Sequence, residues 1–295
     1  MTTDIPFCEA ARVEVRRPVV AVPAKSCDTH AHVFDRHDRY PFIANRTYTP
    51  PEASLEQYIQ LHRTLGIGRG VLVQPSVYGT DNRLHLEALR RLRARGLDYR
   101  GVCVVGPDIR DEDLLELHEA GFRGVRMNLL FRGGLQWNDV IRLADRIAAF
   151  GWHLQFLINV ADCGDIMERI ETLPVPVVFD HMGHMGTGSD IDNPGFQRLL
   201  ALLTGEQAWV KLSGSYRVTA HAAYPYPDVT ATAQALVAAN PERCVWGSDW
   251  PHPHFFGAMP DDGDLLDDLA VWVPDETRRH RILVENPARL YGFDD

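Results

Sequence analysis

The chain has 295 residues, 45% of them apolar, and a formal charge of −10; that is ample for a large buried core and too acidic for a nucleic-acid or anionic membrane-surface partner. All the cationic residues except Lys25 and Lys211 are arginines. No stretch of about 18 unbroken apolar residues occurs, and Arg12, Glu14, Arg16 and Arg17 interrupt the region where a secretory leader would be apolar, so a cytoplasmic protein without membrane partners is expected. The five cysteines are scattered, with no C-x-x-C pair, which predicts reduced and mostly buried thiols.

Residues 1–24 show no regular period and are expected to form an N-terminal extension. A strand-like run at 25–32 then closes on His30-Ala31-His32, and two histidines two apart on a strand project to one side. Ser54 to Leu65 is predicted as a helix, with Leu55, Tyr58, Ile59 and His62 in helical spacing and Ser54 as its cap. The next run, 69–77, carries Gln74 and Ser76 at its end, and Asn82 to Arg95 repeats the helical spacing. After a run at 99–106, Asp111 is expected to cap a third helix. Runs follow at 122–130, ending on Arg126 and Asn128; 152–160, with His153 near its start; 175–183, with Asp180-His181; 208–218, with Lys211 and then Ser213 to Arg217; and 244–250, with Ser248-Asp249-Trp250. Gly66, Gly96, Gly121 and Gly151 stand where helices should stop.

Eight such units of about 33 residues predict a single-domain (β/α)8 barrel over 25–295. An open doubly wound sheet is the competing architecture, but no G-x-G-x-x-G follows the first run. In a barrel, active sites lie at the C-terminal ends of the strands. Six of the eight runs end in polar residues, among them His30, His32, Arg126, Asp180, His181, Arg217 and Asp249, which would converge on one rim.

These segments resemble the amidohydrolase superfamily, and within it the branch containing 2-pyrone-4,6-dicarboxylate lactonase. The resemblance rests on Cys27-Asp28-Thr29-His30-Ala31-His32, Tyr48-Thr49-Pro50-Pro51, Val73-Gln74-Pro75-Ser76, Phe122 to Asn128, Asp180-His181-Met182-Gly183, Lys211-Leu212-Ser213-Gly214, Trp246 to Pro253 and the tail Asn286 to Gly292. It spans about residues 25–292 and implies a distorted (β/α)8 barrel that hydrolyses a lactone or amide-like carbonyl. Binuclear members bridge their metals with a lysine on the fourth strand, and this chain has no lysine there. The lactonase branch is understood to act without a metal. The resemblance therefore implies no cofactor, with weakly bound zinc or manganese at His30, His32, His181 and Asp249 as the alternative.

By the same resemblance Asp249 activates a water, its basicity raised by burial beside Trp250, while His30, His32 and His181 stabilise the oxyanion. Arg126, Arg132 and Arg217 suit a substrate with two carboxylates, since guanidinium groups bind carboxylates bidentately. Tyr48 and Ser76 are similar to residues that hydrogen-bond substrate in the family. Arg123 falls on the opposite strand face from Arg126, and His252 and His254 are either supporting partners of the site residues or plain loop residues, with no chemistry assigned to them. The expected partner is a small anionic lactone. A sugar-acid or sulfomuconolactone lactonase or isomerase, a mononuclear metal-dependent amidohydrolase or decarboxylase, and a barrel that only binds a small molecule remain as alternative readings.

Overall fold

Each apolar run forms a strand of one parallel sheet. In a computed structural model describing residues 5–128 and 137–294, the strands are β1 Cys27–Ala31, β2 Arg69–Val73, β3 Tyr99–Cys103, β4 Phe122–Asn128, β5 His153–Leu157, β6 Val177–Phe179, β7 Ala208–Leu212 and β8 Cys244–Trp246. They pair in sequence order, every ladder parallel, as a (β/α)8 barrel requires. The intervening helices are α1 Leu55–Leu65, α2 Arg83–Ala94, α3 Asp111–Ala120, α4 Trp137–Ala148, α5 Gly164–Ile170, α6 Pro194–Thr204, the single turn α7 Ser215–Val218, α8 Thr230–Ala239 and α9 Asp262–Trp272, with α10 Glu276–His280 and α11 Asn286–Tyr291 closing the described chain.

Ser54 caps α1 in a reciprocal pair with Gln57, and Gly66 ends that helix at φ 79°. At α3 the expectation needs correction. Arg110 holds the capping position and Asp111 is the first helical residue, so Asp111, Glu112 and Asp113 place three carboxylates at the positive end of the helix dipole. The strands are also shorter than the runs that predicted them. The chain leaves the ladder within a few residues of its first polar side chain and turns at once, through a short 3-10 turn at Ser76–Tyr78, a left-handed turn at His181–His184 and α7.

The barrel closes unevenly. β1 and β8 form no ladder of their own; beyond β8, Asp249 N–H donates to His30 C=O at 2.8 Å and His32 N–H donates to Trp250 C=O at 2.7 Å. The buried Asp28 carboxylate reinforces this seam by accepting from Ser248 N–H (2.8 Å), Ser248 Oγ (2.5 Å) and Tyr58 Oη (3.1 Å). The segment before β1 runs along the outside. Phe7 bridges to Thr49, Arg16 pairs with Asp264 and Asp267 on α9, and Val19 and Val20 donate their amides to Asp267. Among the described residues, no helix is long and apolar enough to cross a membrane. Cys27, Cys103 and Cys244 are buried, Cys8 and Cys163 are half-buried, and all five are free thiols.

Candidate active site

The seam sets the register of the site. Because Asp249 and His30 are joined through their backbones, their side chains enter the same end of the barrel. Gly247 is required for that approach: a Cβ there would lie 2.7 Å from His30 Cβ and 2.9 Å from His30 N. The loops carrying the site are held in left-handed backbone conformations that side-chain-bearing residues seldom adopt. His181, Met182 and His184 form one such group and Asp249, His252 and His254 another, at φ between 49° and 64°.

At the centre, Asp249 presents its two oxygens to different neighbours. Oδ2 accepts from Tyr216 Oη at 2.6 Å and from Arg217 Nε at 2.5 Å, and lies 3.7 Å from His181 Nε2. Oδ1 has no hydrogen-bond partner among the described residues and stands 3.8 Å from His30 Nε2 and 3.7 Å from His32 Nε2. Burial by itself would raise the Asp249 carboxyl, but the Arg217 guanidinium beside it holds it well below the usual carboxylate range. The expectation that burial beside Trp250 raises its basicity is therefore reversed, because the cation nearest to it outweighs the loss of water. Tyr216 goes the other way. Burial keeps its hydroxyl protonated far above the normal tyrosine range, so it remains a donor to Asp249.

The three imidazoles are buried, and burial lowers the pKa of each, most strongly for His32 and His181. His32 Nδ1 lies 2.6 Å from the Val73 carbonyl, which can only accept, so Nδ1 carries the hydrogen and neutral His32 turns a lone pair on Nε2 toward Asp249. His181 Nδ1 lies 2.9 Å from Ser213 Oγ. His30 Nδ1 is 3.1 Å from both Lys211 Nζ and Asp180 Oδ1. Lys211 is itself fully buried, donates to Gln155 Oε1 at 2.7 Å, and has its pKa pulled down to about 8 by burial.

Above this cluster is a cavity of about 240 Å³ lined by His32, Tyr48, Ser76, Arg126, Leu157, His181, His184, Arg217, Asp249, Pro253 and His254. All the named candidates of the described chain except His30 thus line one cavity, and the His30 ring packs against His32 and His181 of that lining. Tyr48 stacks on His254 at 5.1 Å and hydrogen-bonds the Ser76 side chain, and burial pushes its phenol up to about 12. Arg126 donates to the Gln74 carbonyl at 3.2 Å and lies 3.5 Å from Asp180 Oδ2. Arg132 and the Asn128 side chain lie outside the described residues. Arg217 differs from expectation: it lines the cavity, but its Nε is paired with Asp249 and its Nη2 donates to Pro253 C=O at 2.7 Å. A cation placed for substrate by sequence is thus first a partner of the carboxylate.

Sequence reasoning passed over Tyr216, Lys211, Gln155 and His184. A signal existed for Lys211, a lone charge inside the apolar strand Ala208–Leu212. For Tyr216 the only signal was its place next to Arg217.

His30, His32 and Asp249 offer two nitrogens and one oxygen within 4.8 Å of one another, as do His30, Asp180 and His181. The first set fits a divalent ion such as zinc. His30 Nε2 and Asp249 Oδ1 are buried without hydrogen-bond partners among the described residues, and the His32 Nδ1–H to Val73 C=O bond is the outer support that metal-binding histidines have.

Residues 27–293 match the amidohydrolase family. The chain belongs to that family. It is 37% identical to a 4-sulfomuconolactone hydrolase from Rhizobium radiobacter, over 98% of this chain and 97% of the relative. It is 36% identical to a 2-pyrone-4,6-dicarboxylate hydrolase from Comamonas testosteroni, over 93% of this chain and 92% of the relative. A crystal structure from Acinetobacter baumannii, described as a probable 2-pyrone-4,6-dicarboxylic acid hydrolase with citric acid bound, superposes with a TM-score of 0.79 at 28% identity, covering 91% of this chain and all of that one. This amidohydrolase is accordingly an enzyme of the hydrolase class with a (β/α)8 barrel, and its kinship lies with lactone hydrolases.

Proposed function

We propose that the protein opens a carboxylated lactone of the 2-pyrone-4,6-dicarboxylate type, with Asp249 as general base and without a resident metal. The observation that carries this reading is the division of labour on Asp249: Tyr216 and Arg217 saturate Oδ2 and leave Oδ1 turned toward His30 and His32 at the floor of the cavity.

A water between Oδ1 and His32 Nε2 meets two acceptors, so both its hydrogens are engaged and its lone pair is free for the lactone carbonyl. The low pKa of Asp249 keeps it ionised but makes it a modest base, so the carbonyl must be polarised strongly. His30 supplies a donor at Nε2 when Lys211 donates to its Nδ1, and His181 does so when Ser213 donates to its Nδ1. As water attacks, its proton passes to Asp249 and the carbonyl oxygen takes the negative charge. Collapse breaks the ring C–O bond, and the departing oxygen takes the proton back from Asp249. Arg126 and the part of Arg217 that lines the cavity supply cationic partners for substrate carboxylates, and Tyr48 and Ser76 supply hydroxyls. A divalent ion held by His30, His32 and Asp249 would instead act as a Lewis acid on the carbonyl. Against a resident cation stand the Arg217 charge on Asp249 and the Lys211 amine beside His30.

The same cations suit a sulfonate, and the 37% identical relative named for a sulfomuconolactone favours that ring as a second substrate. Chelated protein should hydrolyse 2-pyrone-4,6-dicarboxylate or 4-sulfomuconolactone, and Asp249→Asn should lower kcat by about 10²-fold or more. Inactivity after chelation, with recovery on adding zinc, would overturn the metal-free mechanism. Turnover of neither lactone, with or without metal, would overturn the substrate class.

A further inference from the structure

We propose that His252 and Asp262 form, with Tyr216, a buried positioning chain that aims the Asp249 carboxylate. This inference rests on Asp249 being the general base. Tyr216 Oη donates to Asp249 Oδ2 at 2.6 Å, His252 Nδ1 lies 3.1 Å from Tyr216 Oη, and His252 Nε2 lies 3.3 Å from Asp262 Oδ1. All four side chains are buried, and neither oxygen of Asp262 has a hydrogen-bond partner among the described residues, which leaves His252 as the polar group facing it.

The direction of each bond follows from the chemistry of the donors. The Tyr216 hydroxyl has one hydrogen and gives it to Asp249, so Tyr216 can only accept from His252, and His252 Nδ1 must carry a hydrogen. On the far side, a bare Nε2 facing an ionised Asp262 would set two lone pairs against each other inside the protein, which is costly without water. A proton therefore lies between Nε2 and Asp262. Whichever of the two holds it, the imidazole stays an Nδ1–H donor, and Tyr216 is thereby forbidden to turn its hydroxyl toward His252 and away from Asp249. The loop geometry adds a constraint, since His252 N–H donates to Asp249 C=O at 2.7 Å. Asp262 stands in the first turn of α9, where Asp261 already caps the helix by accepting from Gly263 N–H, so Asp262 is not needed as the cap.

The test replaces His252 by two amides of opposite reach. In His252→Asn the amide nitrogen falls at the Nδ1 position and can still donate to Tyr216, whereas in His252→Gln it falls at the Nε2 position and cannot. We expect His252→Gln to lower kcat roughly tenfold with KM within about twofold of wild type, and His252→Asn to recover most of the loss. Asp262→Asn, whose amide can donate to Nε2 and preserve the same tautomer, should lose less kcat than Asp262→Leu. Thermal unfolding identifies the folded variants, and the Asp262 pair carries the test should the His252 pair not fold. Equal kcat in His252→Asn and His252→Gln, or in Asp262→Asn and Asp262→Leu, overturns the chain. Activity surviving in Asp249→Asn overturns the assignment of the base, whereas its loss there together with equal paired variants overturns the positioning chain alone.

Discussion

Arg217 Nε lies 2.5 Å from Asp249 Oδ2, so the cation that sequence assigns to substrate is already bound to the carboxylate expected to take the proton from water. Removing it has a signed consequence. Arg217 is the chief lowering influence on Asp249, so in Arg217→Met the Asp249 pKa rises. Because the ionised form is the base, activity should be lost from a higher pH on acidification. The acidic limb of kcat/KM against pH should therefore move upward relative to wild type, alongside a raised KM. A limb that stays in place while KM rises would assign Arg217 to substrate alone.

Gly247→Ala tests the seam. The new Cβ would meet His30 Cβ and His30 N, atoms at or beside the backbone of the neighbouring strand that cannot swing aside. The strain should cost about 1–3 kcal/mol of stability. Displacing the imidazole by a fraction of an ångström should lower kcat by up to about 10²-fold. Both are read from one preparation, by thermal unfolding and steady-state kinetics. Unchanged kcat with lowered stability would show that His30 does not need this register.

Asp28 should contribute to the acid sensitivity of the barrel at its seam. Burial opposes its ionised form, but hydrogen bonding and charge from His62 and the two bonds from Ser248 hold its pKa below the usual range. With the folded value depressed, its stabilisation is present above the unfolded value of about 3.9 and is lost as pH falls through the folded one. Asp28→Asn should cost roughly 3–5 kcal/mol, as expected when one member of a buried charged network is removed. Its melting temperature should also fall less steeply than that of wild type on acidification below about pH 4. Parallel curves would assign the acid sensitivity to another carboxylate.

The fold and the centre of the site were legible for a common reason. His30 lies in β1 with His32 just past its end, and Asp249 follows shortly after β8, so each was visible as a short local pattern whose position in a barrel follows from the alternation of strands and helices. What escaped was fixed by contacts between distant segments. Tyr216 matters because it meets Asp249, and Lys211 because its amine lies beneath His30 and beside Gln155, 181 and 56 residues away in the chain. The sign of the Asp249 shift was missed for the same reason: Trp250 is adjacent in sequence, whereas Arg217 is adjacent only in space. Strand lengths were overestimated because the polar residues that mark the rim also end the ladder, as at Asp180 and Ser213.

The two edges of the sheet meet through a few bonds around His30, His32 and Trp250 and through the Asp28 carboxylate, while every other pair of neighbouring strands shares a ladder. Shape and reactivity thus share one joint: the contact that closes the barrel is also what brings imidazole and carboxylate together. A molecule ajar at that joint would keep most of its secondary structure and still be inert, so turnover serves as a gauge of whether the cylinder is shut.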